Sequence, residues 1–156
     1  MHIETPRDLL DRGITPELHA EIRELWKRHS IAEDARDIPG LLSTLTDDCI
    51  YEVVPTGDVW SGHEGAARFY ESLLGAFPDI RFQLDSIVIG PQGVFEEAWM
   101  TATQAGDWPP ARPWPRRAAG RGDQVRFKIA IFFPWDTARR KFRGERVYLG
   151  FIPGAA

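Results

Sequence analysis

The sequence predicts an α+β fold in which helices near the N-terminus are followed by a curved antiparallel sheet. Apolar residues recur at helical spacing mainly between residues 18 and 77, whereas the segments after residue 80 have the pattern of long strands. No helical pattern separates these strands, so we expect antiparallel pairing rather than crossover connections. The length of 156 residues suits a single domain over residues 1–156, with residues 1–14 as a polar lead-in.

The composition excludes several classes of protein. A net charge of −4 is too acidic for a general nucleic-acid binder, and a single cysteine, Cys49, excludes an internal disulfide or a cysteine-rich zinc site. The N-terminal residues "MHIETPRDLLDRG" carry charges where a signal peptide needs an apolar run, and no stretch has the ~18 apolar residues of a membrane span. We therefore expect a cytoplasmic protein with neither nucleic acid nor membrane as a partner.

Two helices are expected before the first strand. Thr15 and Pro16 mark the start of the first, with threonine as N-cap and proline at the first helical position. A shorter helix is expected over Asp37 to Leu45, entered at Pro39. The first helix carries an apolar stripe made of Leu18, Ile22, Leu25, Trp26, His29 and Ala32.

A third helix lies within "SGHEGAARFYESLLGAFPDIRF", residues 61–82. Ser61, with Glu64 three residues later, predicts a capping box at the helix start. Pro78 is expected to end the helix, because proline cannot continue the hydrogen-bonding pattern. Its apolar positions, from Ala66 to Phe77, predict one buried face.

Strand patterns cover residues 49–55, 80–90, 93–106, 124–134 and 141–151. The segment 107–123, "DWPPARPWPRRAAGRGD", is rich in proline and arginine and separates two of these strands. Hairpin loops usually have two to five residues, so this loop is a candidate lid or partner contact. The alternative is a solvated excursion without a binding role.

Together these segments resemble the SnoaL-like branch of the NTF2-like superfamily over roughly residues 18–151. The resemblance implies an NTF2-like/cystatin-like cone, in which a curved antiparallel sheet wraps around the N-terminal helices and leaves an internal pocket. The helix of residues 61–82 would then form one wall of this pocket. Besides the strand ladder that ends in "GERVYLGF", the resemblance rests on Gly62, Gly65, Phe69, Tyr70, Phe77, Pro78 and Asp79.

The resemblance also indicates which catalytic residues to expect. Polyketide cyclases of this branch would use a histidine in a Gly-Thr-His-Thr-Gly-like turn and an aspartate on the last strand. Here Gln104 and Gly150 occupy those two positions. Glutamine can donate a hydrogen bond but cannot titrate, and glycine has no side-chain group. The acid–arginine–acid set of limonene epoxide hydrolases is also missing, with Glu97 and Trp99 at two of its positions.

Four residues remain as catalytic candidates: His29, Glu96, Gln104 and Tyr148. His29 lies on the apolar stripe and titrates near neutrality, which suits a general base; alternatively it is a core histidine bonded to a neighbour. If Gln104 points inward as the family's histidine does, strand alternation places Glu96 on the same face. Burial there would raise the pKa of Glu96 into a useful range.

On the last strand, Arg146 and Tyr148 share the face of Gly150, and Tyr148 could polarise a substrate oxygen together with Gln104. The alternative is a structural ion pair between Glu96 and Arg146. The four histidines are scattered and no dinucleotide or Walker motif is present, so we expect neither a metal nor an organic cofactor. The expected substrate-binding residues are Trp26, Tyr51, Trp60, Tyr70, Met100 and Arg146.

Three functions are compatible with these residues. The first is a SnoaL-like enzyme that performs cyclisation, dehydration, isomerisation or epoxide opening on a hydrophobic oxygenated molecule such as a polyketide or terpenoid. The second is a small-molecule-binding protein that kept the cone and lost catalysis. The third is an interaction module. Apolar residues alternate on both faces of residues 125–133, which predicts a sheet covered on both sides and hence a homodimer.

Overall fold

The computed structural model describes residues 4–106, 108 and 122–150. Within these residues, four helices lie in the first half of the chain and six strands form one sheet. The prediction of an α+β fold is confirmed. The helices are α1 (Pro6–Leu10), α2 (Pro16–Asp34), α3 (Ile38–Ser43) and α4 (Gly62–Ala76).

The sheet is curved and unclosed, and its strand order is β2-β1-β6-β5-β4-β3. Neighbouring strands are antiparallel except for β1 and β6, which are parallel. The prediction of purely antiparallel pairing is therefore wrong where β1 meets β6. The chain between these two strands includes helix α4, and such a long connection allows β6 to lie parallel to β1. The strands are β1 (Leu45–Val53), β2 (Asp58–Ser61), β3 (Arg81–Gly90), β4 (Gly93–Thr103), β5 (Gln124–Asp136) and β6 (Lys141–Gly150).

Helix α2 begins as the sequence predicts. The Thr15 side chain accepts a hydrogen bond from the Leu18 amide, and Pro16 occupies the first turn, where its missing N–H costs nothing. The buried positions Ile22, Leu25, His29 and Ala32 follow the predicted stripe. This spacing turns one face of α2 toward the sheet.

Helix α4 ends as predicted but begins differently. Its last helical residue is Ala76, with Phe77 as C-cap ahead of Pro78. Ser61 is the N-cap, but its side chain makes no capping hydrogen bond, and Glu64 instead pairs with Arg68 one turn later. The predicted capping box at this helix is therefore wrong.

Two short elements were not predicted. Helix α1 lies within the predicted polar lead-in and is closed by a capping box between Thr5 and Asp8. Strand β2 has four residues and pairs with β1 after the turn at Gly57, whose φ is 73°. Helix α3 is shorter than predicted, and Asp37 is its N-cap rather than its first residue.

A bulge in β6 changes the side-chain alternation of that strand. Phe133 and Trp135 of β5 are buried on the inner face of the sheet. On β6, the residues buried on that face include Phe142 and Val147, which are an odd number of residues apart and would lie on opposite faces of a regular strand. The extra residue lies at Gly144, whose φ of 111° suits glycine. As a result Glu145 turns into the protein interior, where its side chain is buried.

The core lies between the inner face of the sheet and helices α2, α3 and α4. Its largest fully buried side chains include Tyr51, Phe69, Tyr70 and Phe142. Trp108 is buried against Phe69 at one end of α4. The other residues of the loop prediction, 107 and 109–121, lie outside the described residues. Within the described ranges, no helix is both long and apolar enough to span a membrane.

Candidate functional site

A buried polar network joins α2, α4, β1 and β6. The ring nitrogen Nε2 of His29 lies 2.9 Å from Oε1 of Glu145, and the other ring nitrogen, Nδ1, lies 2.7 Å from the hydroxyl of Thr44. The Tyr70 hydroxyl donates to the same Glu145 oxygen at 2.7 Å. The Tyr51 hydroxyl lies 3.0 Å from that of Tyr70. His29 and Glu145 are only 1% and 3% exposed, so protein groups rather than solvent satisfy these polar atoms.

The hydrogen bonds fix where the protons lie. The Thr44 hydroxyl donates to the carbonyl oxygen of Leu41, so it must accept its other bond from Nδ1–H of His29. The hydroxyl proton of Tyr70 is used on Glu145, so Tyr70 accepts from Tyr51. With Nδ1 protonated, the short contact from Nε2 to the carboxylate also requires a proton between them. His29 and Glu145 therefore hold one shared proton in a closed chain of donors.

The two tyrosines remain donors over a wide pH range. Burial, followed by the negative charge of Glu145, raises the pKa of both Tyr51 and Tyr70 well above the usual value of 10. Neither phenol is therefore available as a base near neutrality. Their role in this arrangement is to hold Glu145 in place.

Glu96 is a second buried carboxyl group, on the inner face of β4. Its side chain is 8% exposed, and its Oε2 accepts a hydrogen bond of 2.8 Å from the indole N–H of Trp26. Burial, and then the charge of Glu145, raises the pKa of Glu96 from 4.5 to about 7, while the bond from Trp26 opposes the shift. A carboxyl group that is half ionised near neutrality can serve as either acid or base.

The stability of the protein is expected to report this pKa. The unfolded chain releases the Glu96 proton near pH 4.5 and the folded chain near pH 7, so the folded state binds more protons between these values. The free energy of unfolding should therefore fall as pH rises from 4.5 through 7, by about 3 kcal/mol from this group. Glu96→Gln should remove this loss, so its free energy of unfolding should exceed that of the wild type by a growing margin as pH rises from 5 to 8.

Urea denaturation at pH 5, 6, 7 and 8 measures this difference, with Glu97→Gln as the control. Glu97 is the next residue on β4 but lies on the exposed face, so its variant should follow the wild type at every pH. Parallel curves for the wild type and Glu96→Gln would show that Glu96 titrates in its ordinary range.

Glu33 is the third carboxyl group of this region, on the last turn of α2. The residue keeps some accessible surface, yet burial of its carboxyl end is the largest cause of a pKa well above the usual 4.5. The charges of Glu145 and Glu96 raise it further, as does Asp34, while Arg36 lowers it. Partial exposure combined with strong burial of the charged end is typical of a group inside a concave surface.

The inner face of β3 beside Glu96 is apolar and uncovered. Ile87 pairs with Glu96 across the two strands, and Leu84 pairs with Ala98 on the same face. Ile87 is 36% exposed and Leu84 is 44% exposed. Because β3 is the edge strand on the side that α2 approaches, these side chains border Glu96 with accessible apolar surface.

The predicted catalytic residues do not all come together. Glu96 and Gln104 are both buried and turned inward, as predicted. However, a strand rise of about 3.4 Å per residue places them roughly 25 Å apart along β4. Gln104 lies beyond the end of the strand, where its amide donates to the carbonyl oxygen of Gly106 at 3.1 Å. His29 is in the network described above, with both ring nitrogens occupied, as in the alternative of a bonded core histidine.

The predicted inward orientation of Tyr148 and Arg146 is wrong. Tyr148 pairs with Ala130, and Arg146 pairs with Phe132, on the face of the sheet opposite Glu96. Tyr148 is 41% exposed. The physical reason is that Val147, not its neighbours, continues the inner face after the bulge. The alternative ion pair between Glu96 and Arg146 is excluded by the same orientation.

The predicted substrate-binding residues occupy three different environments. Tyr51 and Tyr70 are fully buried in the His29 network, and Met100 is buried on the inner face of β4. Trp60 is partly exposed and its ring packs against Phe69 at a centroid distance of 5.2 Å. Trp26 is the member of this set that donates a hydrogen bond to Glu96, the carboxyl group whose pKa is raised to about 7.

The sequence did not predict Glu145, Glu33 or Thr44 as site residues. No local pattern reveals Glu145, because only the bulge at Gly144 turns it inward. For Glu33, the signal was its spacing of seven residues from Trp26 and four from His29, which puts all three near one face of α2. Across residues 4–106, 108 and 122–150, no group of three or more histidine, cysteine, aspartate or glutamate side chains is arranged to hold a metal ion.

A curved, unclosed sheet around N-terminal helices defines an NTF2-like cone. The chain belongs to the SnoaL-like domain family, whose model matches residues 22–136. No curated protein matches the chain in a sequence search.

Solved structures confirm the fold at low sequence identity. A candidate SnoaL-like polyketide cyclase from Jannaschia sp. CCS1 is 15% identical, with 88% of this chain and 90% of that chain covered and a TM-score of 0.70. AclR, a candidate hydroxylase from Streptomyces galilaeus, is 19% identical over 86% and 92%, with a TM-score of 0.64. TerC, crystallised with polyporic acid, is 14% identical over 81% and 89%, with a TM-score of 0.61.

Proposed function

We propose that this protein is a SnoaL-like enzyme that performs cofactor-independent acid–base chemistry on a hydrophobic, oxygenated small molecule. The reaction class is cyclisation, dehydration, isomerisation or epoxide opening, and Glu96 is the proton-transfer group. One observation carries the proposal: Glu96 is buried, burial raises its pKa to about 7, and one of its carboxyl oxygens keeps some accessible surface.

The availability of that oxygen follows from its contacts. Oε2 of Glu96 accepts from Trp26, whereas Oε1 has no hydrogen bond to any described residue. Among the described residues, the fully enclosed side-chain atoms without a hydrogen-bond partner are Thr46 Oγ1 and Trp135 Nε1. Oε1 of Glu96 also lacks a partner within the described part of the chain but is not one of these atoms, so it keeps some accessible surface. A proton-transfer group needs this combination of one anchored and one accessible oxygen.

The surroundings of Glu96 favour an apolar substrate. Ile87 and Leu84 present exposed apolar surface on the same face, and Ala98 continues that face along β4. Proteins with this fold include TerC, whose ligand polyporic acid is an aromatic compound with several oxygens. That ligand class supports an aromatic, oxygenated substrate here.

The test combines ligand binding with proton exchange. Polyporic acid and the benzo-fused cyclic ketone 2-tetralone are titrated against tryptophan fluorescence, and conversion or deuterium uptake from D2O is followed by mass spectrometry. Wild-type protein should catalyse uptake or conversion, and Glu96→Gln should reduce the rate at least about 100-fold while still binding. Glu97→Gln, on the exposed face of the same strand, should match the wild type.

A second candidate function is ligand binding without catalysis. It is favoured by one observation: the positions of the family's usual pair hold Gln104, which is bonded to Gly106, and Gly150. Tight binding by the wild type and Glu96→Gln alike, with no exchange by either, would establish this alternative and contradict the enzymatic proposal.

We also propose that two copies pair through the outer face of the sheet. Val88, Phe95 and Phe132 lie in one row across β3, β4 and β5, and the first two are strongly exposed. Tyr148 adds exposed surface in the next row. Phe95→Arg should shift the mass measured by light scattering from a dimer to a monomer, whereas Leu10→Arg, an exposed position on helix α1 outside the sheet, should not. A wild-type monomer would contradict the pairing.

A further inference from the structure

The edge of α2 that borders the apolar face of β3 carries a second carboxyl group. Trp26, Ser30 and Glu33 follow one another at intervals of four and three residues, and all three are partly exposed. The buried stripe of α2, which includes His29, lies directly beside them. This edge therefore separates the core from the uncovered part of the inner face.

Contacts on either side of Glu33 fix the direction of this edge. About two helical turns before Glu33, Trp26 donates a hydrogen bond to Glu96 on β4. Just after it, the Arg36 guanidinium donates to the carbonyl oxygen of Ile80 at 2.9 Å, where β3 is about to begin. The segment that carries Glu33 is thus held against β3 and β4 at both ends.

We propose that Glu33 is a second proton-transfer residue, which works opposite Glu96 on the same bound substrate. This inference rests on the proposed function and extends it to the substrate class: a carbonyl compound with an acidic C–H bond next to the carbonyl group.

The charges of the region support two proton-carrying carboxyl groups. The charges of Glu96 on β4, Glu145 on β6 and Asp34 on the same helix all act on Glu33. The positive charge of Arg36 lowers the pKa of Glu33, but its guanidinium is bonded to backbone carbonyl oxygens. Carboxylates this close would repel one another, which favours a proton on Glu33 and a partly protonated Glu96.

The pKa values divide the roles between the two groups. Burial and the neighbouring carboxylates raise the pKa of Glu33 well above its usual value, which favours its neutral acid form. Glu96, with a pKa of about 7, is half ionised. Glu33 is therefore the acid and Glu96 the base at the start of the reaction.

The proposed step conserves every proton. The Glu96 carboxylate takes the proton of the C–H bond, whose electron pair forms the carbon–carbon double bond of the enol. The carbonyl oxygen takes the proton of Glu33, which becomes a carboxylate. Return of a proton from Glu96 to carbon, and of the enol proton to Glu33, restores both groups and leaves an isomerised or deuterium-exchanged product.

Deuterium exchange into 2-tetralone tests the role of Glu33, with Glu33→Gln compared with Glu17→Gln. Glu17 is an exposed glutamate in the first turn of the same helix, so its variant should exchange like the wild type. Glu33→Gln should exchange at least about tenfold more slowly, because glutamine cannot give a proton to the enolate. If Glu33→Gln does not fold, as judged by circular dichroism, Glu33→Ala replaces it.

Carbon-13 NMR titration of labelled glutamate side chains gives a readout that does not depend on turnover. In Glu96→Gln the titration midpoint of Glu33 should move to lower pH, because the charge of Glu96 raises the pKa of Glu33, and in Glu17→Gln it should not move. Exchange that requires Glu96 but is unchanged in Glu33→Gln, or an unmoved Glu33 midpoint, would overturn the role of Glu33 alone. Absence of exchange by the wild type would overturn the proposed function and this role with it.

Discussion

Glu145→Ala is expected to lower the free energy of unfolding by about 3–5 kcal/mol, the usual cost of removing one partner of a buried charged pair. Oε1 of Glu145 accepts from both His29 and Tyr70. Its loss leaves two donors and a shared proton without an acceptor in a region closed to water. Tyr51 is affected as well, because its hydroxyl bonds to Tyr70.

Urea denaturation at neutral pH measures this loss, and two further variants give the scale. Glu145→Gln keeps an acceptor oxygen and the volume of the side chain, so it should be less destabilising than the alanine. Glu97→Ala removes an exposed glutamate from β4, two strands away, and should cost no more than about 1 kcal/mol. A cost below that value for Glu145→Ala would mean that the network contributes little to stability.

Gly144→Ala is expected to cost about 3 kcal/mol or more, because the site for a side chain is already filled. A Cβ atom at this position would lie 1.9 Å from the carbonyl oxygen of Ile50 and 2.5 Å from its carbonyl carbon. Both atoms belong to the backbone of β1 and cannot move without breaking its pairing with β6. The φ of 111° adds strain for any residue other than glycine.

The expected result is a large loss of stability in urea, together with a change in the Tyr70 environment seen by NMR. The matched control is Gly75→Ala in α4, where a Cβ atom would meet nothing within 4 Å. That variant should gain up to about 1 kcal/mol from better helix propensity. Equal stability of Gly144→Ala and wild type would show that β6 forms without the bulge.

The elements with strong periodicity could be predicted from the sequence. In helix α2, which begins at a threonine cap, apolar residues recur every three to four residues. The strands from β3 to β6 are indicated by apolar and β-branched residues that recur at a spacing of two. The four-residue strand β2 was missed because its pairing with β1, not its composition, makes it a strand. The capping signals of α1 and α4 look alike in sequence, yet only Thr5 and Asp8 form the box.

The site could be predicted only in part, for a reason of strand geometry. Glu96 follows from simple alternation along β4, which has no bulge against β5. Alternation fails in β6, where one extra residue at Gly144 moves Glu145 inward and leaves Tyr148 on the outer face. Bulges depend on how two strands meet, so a single strand's sequence does not reveal them.

The position of β6 in the sheet sets the order in which the molecule can be completed. The last strand of the described chain lies third in the sheet, between β1 and β5. During synthesis, the β1–β2 hairpin and the β3–β4–β5 meander can each form from neighbouring segments, but no strand pairing joins them until residues 141–150 leave the ribosome. That strand also brings Glu145 to His29 and Tyr70, which lie 116 and 75 residues earlier in the chain. Closure of the sheet and assembly of the buried network are therefore expected to be a single late event in folding.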